Sequence, residues 1–256
     1  DELQDVDGDT SNGQVSHDDG AVKTERNVAI EEMRRRGVTI DDDIQKLAES
    51  LLPKAAGLAK KIHDSATVRD RFDGFLDALC GKINKDKRRL DRRVATRWNS
   101  DLAVLRAYLD LWDAILPLTS ASDLKLDAFR MTTNQIKLTK QVVEILQLFE
   151  DLTLLFSKSD TPLVCEALPM LYALEQNLSK VADKDKLHSI LRVACHAASN
   201  MCKKYLHLME DKEAYLISIV MRPDCKLEWF REVLGYDEER LSELKSKVCA
   251  RWDEMY

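Results

Sequence analysis

Residues 133–156 read TNQIKLTKQVVEILQLFEDLTLLF. Ile136, Val143, Leu146, Phe149 and Leu152 recur at three- and seven-residue intervals, which place side chains on one face of a helix. The same pattern extends in both directions. Upstream, Asp43 can cap a helix over residues 44–62, with Leu47, Leu51, Leu58 and Ile62 on one face. Ser65 or Thr67 then starts a second helix that turns Val68, Phe72, Phe75, Leu76 and Leu79 inward. Asn99 or Ser100 caps a third, through Leu102, Leu105, Leu109, Trp112 and Leu116. Downstream, Thr161 and Pro162 form an N-cap and N1 pair opening a helix to about Val181, and Pro169 within it predicts a kink or a break. Residues 184–209 read as a long helix, and residues 213–220 as a buried helix or a strand ended by Pro223. Residues 226–234 read as a short aromatic helix stopped by Gly235. Asp237 caps a last one, with Leu241, Leu244, Val248, Trp252 and Met255 on one stripe.

Composition agrees with a mostly α, multi-helix array holding at most one or two short strands. The chain has 256 residues, 45% of them hydrophobic and 33% charged, enough for a substantial core. Four of its eight glycines lie in the first forty residues, which leaves four for the other 216. So few turn formers argue against a many-stranded sandwich or barrel. With no glycine cluster, a GxGxxG or P-loop nucleotide site is excluded as well. No apolar run reaches the roughly 18–20 residues that cross a bilayer, so no membrane partner is expected. The acidic amino terminus shows no export signal, and a start at Asp1 instead of Met reads as a fragment or a processed end. Six cysteines without a CxxC read as reduced, mostly buried thiols of an intracellular protein. Cys195, His196, Cys202 and His207 do not read as a zinc site. Residues seven apart share a helix face but stand about 10 Å apart along the axis, too far to meet zinc bonds of about 2.0–2.3 Å. His63 and His188 have no Ser or Cys spacing that indicates a hydrolytic triad.

Charge is uneven along the chain. Residues 1–20 hold seven acids and no Lys or Arg, so residues 1–40 are expected to be an acidic disordered tail or linker, with room for a short helix near 27–36. Residues 82–97 hold eight bases (Lys82, Lys85, Lys87, Arg88, Arg89, Arg92, Arg93 and Arg97) against Asp86 and Asp91, in a chain of net charge −6. A solvated loop that balances an acidic chain and a loop that tracks phosphates both fit that run. Residues 93–97 (RVATR) read as a short strand.

Residues 95–105 (ATRWNSDLAVL), with the basic run before them and the helix ending LWDAI (111–115) after them, resemble the hAT superfamily of DNA transposases. Residues 146–162 (LQLFEDLTLLFSKSDTP) are similar to a stretch of that family's helical insertion. Pro223, Lys226, Leu227 and Phe230 match its Pro-x-x-Lys-Leu-x-x-Phe string. The likeness covers roughly residues 40–256. It implies an RNase H-like core interrupted by an all-helical insertion, a nuclear location, and DNA as partner. Residues 41–100 would then be the helical pair, basic loop and Arg-Trp segment of that core, and residues 101–256 the insertion. Of the family's functional residues, Arg97 and Trp98 carry over, Arg97 to hold a phosphate and Trp98 to stack on a base. Lys87, Arg88, Arg89, Arg92 and Arg93 join them as candidate DNA-binding residues. Intact members use three carboxylates to hold Mg²⁺ or Mn²⁺. No acid of this chain matches those positions, so no catalytic residue, metal ligand or cofactor is assigned. The expected function is that of a transposase-derived fragment, ancestrally for DNA binding and transposition, that is catalytically inactive as this chain. A helical protein-interaction module is the alternative, with the Leu241–Met255 face as core or as a surface for a partner or self-association.

Overall fold

A computed structural model describes residues 12–79, 89–94, 98–158 and 163–255, with backbone alone at 12–19 and 21. Among the described residues the regular secondary structure is helix, and there is no strand. The mostly α architecture is therefore as expected. No helix among them is long and apolar enough to cross a membrane. The chain divides into two compact units, with divisions after Val38, Ser157, Lys184 and Leu191.

The first unit gathers Thr39–Ser157 and Asp185–Leu191. Its helices are α2 (Asp42–Glu49), α3 (Leu51–Asp64), α4 (Ala66–Ala78), α5 (Trp98–Asp110), α6 (Trp112–Ser120) and α7 (Thr133–Phe156), with a 3₁₀ turn over Asp127–Phe129. The cap of α2 is Asp41, whose Oδ1 accepts from the Ile44 N–H at 2.7 Å; Asp43 lies inside the first turn. The single helix expected over 44–62 is two, parted at Ser50. Pro53 has no N–H to offer the Glu49 carbonyl, so the ladder is interrupted there. Ser65 caps α4 as read, accepting from the Val68 N–H. The helix expected to continue through Leu116 bends at Leu111. That bend keeps Tyr108, Leu111, Ala114, Ile115 and Leu118 all buried in one core.

That core joins Leu58 and Ile62 of α3 and Phe72 and Leu76 of α4 to Leu105 and Tyr108 of α5 and Leu138 of α7. Residues on both sides of 100 thus share one hydrophobic interior. Two polar fixtures set its geometry. Thr132 and Gln135 form a reciprocal capping box at the start of α7, and Gln135 Nε2 also donates to Ser50 Oγ at 2.7 Å. Gly57 lets the 3₁₀ turn approach α3, since a Cβ there would lie 2.5 Å from the Phe129 ring.

The second unit gathers the described residues of Asp1–Val38, Lys158–Lys184 and Arg192–Tyr256. It holds α1 (Asn12–Arg35), α8 (Val164–Ala182), most of α9 (Ser189–Glu210), α10 (Glu213–Val220), α11 (Lys226–Glu232) and α12 (Glu238–Met255). Phe230 is fully buried among Leu168, Leu206, Leu216, Ile219, Tyr236, Leu241 and Leu244. The expected Thr161–Pro162 cap lies outside the described residues. Pro169 does not end α8, which runs through it. Residues 213–220 are helix, not strand. Gly235, at φ 69°, follows α11, and Asp237 Oδ1 accepts from the Arg240 N–H at 2.9 Å at the start of α12, as read.

The expected tail contains a helix. α1 closes on Gly37 (φ 81°), where Val38 N–H donates to the Met33 carbonyl and Gly37 N–H to that of Arg34, a Schellman end. Ala29 and Met33 are buried, and Glu32 accepts from His196 Nε2 at 2.7 Å and Asn200 Nδ2 at 3.0 Å. The acid count of residues 1–20 carried no information about this apolar pair one turn apart.

Those two bonds, Asn200 first and then His196, hold the Glu32 carboxyl below its ordinary 4.5. A carboxyl lowered by folding contributes stability above its unfolded value and loses it as pH falls through the folded one. Hydrogen exchange of the α1 amides, compared between about pH 6 and pH 3.5 and corrected for intrinsic rate, will show protection lost on the acid side. Glu32→Gln will flatten that difference.

Candidate nucleic-acid interface

The described part of the basic run, residues 89–94, is non-helical and lies along α3. Leu90 packs against the first unit's core and anchors it. Arg89 and Leu90 lie with Ala59, Ile62, His63, Arg69, Phe72, Asp73 and Asp77 around a cleft of about 570 Å³. Arg92 and Arg93 face Ala56, Gly57 and Lys60 across a second of about 250 Å³. The segment therefore runs antiparallel to α3, with its later residues beside the earlier turn of the helix.

Its far end is fastened to α5. Arg93 Nε donates to Asp101 Oδ1 at 2.7 Å and its Nη2 to Oδ2 at 3.3 Å, a bidentate pair that raises the Arg93 pKa. The Ser100 hydroxyl accepts from the Val94 N–H at 2.9 Å and donates to the Val94 carbonyl at 2.8 Å. Ser100 was expected as a helix cap; the helix instead begins at Trp98, and the hydroxyl closes the approach to it. The strand expected over 93–97 is absent at its described residues, Arg93 and Val94. Both backbone groups of Val94 are taken by a side chain, and among the described residues no strand lies alongside.

Trp98 is 39% exposed and meets Phe149 of α7 edge-on, with ring centroids 6.4 Å apart. It is neither a core aromatic nor a free platform: Phe149 holds its orientation and part of the indole stays open to solvent.

Of the candidate DNA-binding residues, Arg89, Arg92, Arg93 and Trp98 are described; the three arginines lie along α3, and Arg93 is bonded to Asp101 in the first turn of α5, the helix that Trp98 opens. Lys87, Arg88 and Arg97 lie outside the described residues. Arg93 is neutralised by Asp101, which sequence spacing did not reveal. Lys60 was missed. It sits on the polar side of α3, and only the antiparallel run of the segment brings it beside Arg92. Among the described residues, no carboxylate pairs with Lys60, Arg89 or Arg92.

The thiols of Cys195 and Cys202 are buried in α9, and burial pushes each up to about 11. His196 is taken by Glu32. Among the described residues no group of three or more His, Cys, Asp or Glu side chains could hold a metal ion. No family model, no curated protein and no solved structure matches the chain.

Proposed function

We propose that this chain is a hAT-transposase-derived helical protein that binds DNA through the segment along α3, without cutting it. The observation that carries the reading is the grouping of Lys60, Arg89 and Arg92, three cations without an ionic partner among the described residues, in a chain of net charge −6. Unpaired cations on one path are what a phosphate backbone requires, because each contact releases condensed counterions. Trp98 at the end of the path keeps part of its indole open to solvent, where a base could pack against it. The four sequence segments similar to hAT transposases support the ancestry, and a nuclear location goes with it. Binding without cleavage follows from the lack of any acid matching the family's catalytic positions.

Fluorescence anisotropy with labelled duplex DNA across a salt series tests the reading. The triple change Lys60→Ala, Arg89→Ala, Arg92→Ala will weaken binding and reduce the slope of log K against log salt by about 0.9 for every phosphate that is no longer neutralised. Arg93→Ala alone will change the slope less, since Asp101 already neutralises that guanidinium. Absence of binding at low salt rejects the proposal. Cutting of duplex DNA with Mg²⁺ or Mn²⁺ that EDTA abolishes rejects the non-cleaving part.

A second reading, a protein-interaction module, is favoured by α12. Leu241 and Leu244 are buried there, but Trp252 and Met255 on the same stripe are exposed. A salt-independent self-association lost in Trp252→Ala supports it over DNA binding.

A further inference from the structure

The cleft of about 570 Å³ in the first unit carries charge of both signs on separate walls. The α4 wall holds Asp73 and Asp77, one helical turn apart. Arg89 comes from the segment that runs along α3. Ile62 and Phe72 are buried members of the core and Leu90 packs against it, so the cleft has an apolar floor. Its volume falls within the about 300–1,000 Å³ of sites that take small ligands.

The charges in this cleft do not cancel one another. Arg69, one turn before Asp73, would pair with it on an ordinary helix surface. Here its Nη2 donates instead to the His63 carbonyl in the last turn of α3, at 3.0 Å. Asp73 is left without an ionic partner among the described residues. Arg89 is left in the same state, although it lines the same cleft. A ligand that satisfies both must offer N–H donors to the carboxylate, a flat apolar body to the floor and an anion to the guanidinium.

A nucleotide has these three parts, and Asp73 chooses among the bases. An ionised carboxylate only accepts hydrogen bonds, and its two oxygens take two adjacent donors. Guanine presents such a pair on its Watson–Crick edge, N1–H and the 2-amino group. Adenine, cytosine and thymine each set an acceptor beside the donor on that edge, which a carboxylate repels. We propose that the cleft holds an unpaired guanine nucleotide of a single DNA strand, its base edge on Asp73 and its phosphate on Arg89. The strand rests on the DNA reading above, with Arg92 and Lys60 carrying positive charge on from Arg89. A duplex hides the same edge in its base pairs, so this cleft selects single strands.

Fluorescence anisotropy with labelled oligo-dT of about twelve nucleotides, unsubstituted or with one central dG, dA or dC, tests this with the full chain. The dG strand will bind on the order of tenfold more tightly than the others. Deoxyinosine, which lacks the 2-amino group, will recover only part of that gain. Asp73→Asn, a change on the exposed side of α4 checked by circular dichroism, will remove the preference for dG. Isothermal titration with free dGMP and dTMP separates the cleft from the strand. Equal affinity for all strands, or a dG preference that survives Asp73→Asn, overturns the guanine site and leaves the DNA reading standing. If no strand binds at low salt, the DNA reading falls. Binding of dGMP over dTMP that Asp73→Asn abolishes then sustains the guanine site, and no binding of dGMP overturns it too.

Discussion

Phe230→Ala will unfold the second unit at far lower urea than the parent chain. The ring is fully buried, 5.5 Å from that of Tyr236 and packed against Leu168, Leu206, Leu216, Ile219, Leu241 and Leu244. Truncating a buried phenylalanine removes its transfer free energy and leaves a cavity, together about 3–5 kcal/mol. The elements around the ring are short: α10 has eight residues and α11 seven. Helices of that length are not stable by themselves, so they depend on packing against this ring to stay formed. Urea unfolding followed by circular dichroism, with the m-value checked for constancy, measures the loss. Phe230→Leu, which keeps most of the volume, will cost less than half as much. A change below about 1 kcal/mol for Phe230→Ala contradicts the placement of this ring at the centre of the core.

Tyr108→Phe will destabilise the first unit by about 1–3 kcal/mol, although it deletes one atom. The hydroxyl donates to the Phe129 carbonyl at 2.9 Å and accepts from the Met131 N–H at 3.1 Å. Tyr108 and Met131 are both buried, so no water replaces the missing partner. The bonds also position the chain that leads from the 3₁₀ turn into the capping box of α7. Burial pushes the phenol from 10.0 up to about 12. A phenol raised by folding supports the fold below its unfolded pKa and withdraws that support as pH rises towards the folded one. The parent will therefore lose stability between pH 10 and about 12, and the gap between parent and variant will narrow over that window. A gap that is constant with pH rejects the buried phenol as its source.

Caps and apolar spacing were legible because they act between near neighbours. Ser65, Asp237 and Gly235 each stand where a local bond or a positive φ starts or stops a helix, and each does so in the structure. Residues 133–156 form one helix with the bounds that its spacing indicates. Ser100 shows where local reading stops. Its side chain is as suited to the Val94 backbone as to a helix cap, and only the path of residues 89–94 decides between them.

The candidate interface divides in the same way. A surplus of positive charge over residues 82–97 is a property of the sequence. Which of those charges remain available is not, because Asp101 takes Arg93 and α3 contributes Lys60. The sequence alone determined that the chain is mostly helical, where several of its helices start and stop, and that positive charge concentrates over residues 82–97. These follow from torsional preference, side-chain spacing and simple charge. The tertiary structure decided that residues 12–35 are a docked helix, that α3 to α6 pack with α7 around one core, and which of the described cations face solvent without an ionic partner among the described residues. Burial and ion pairing depend on residues far apart in the chain, and no local window contains both partners.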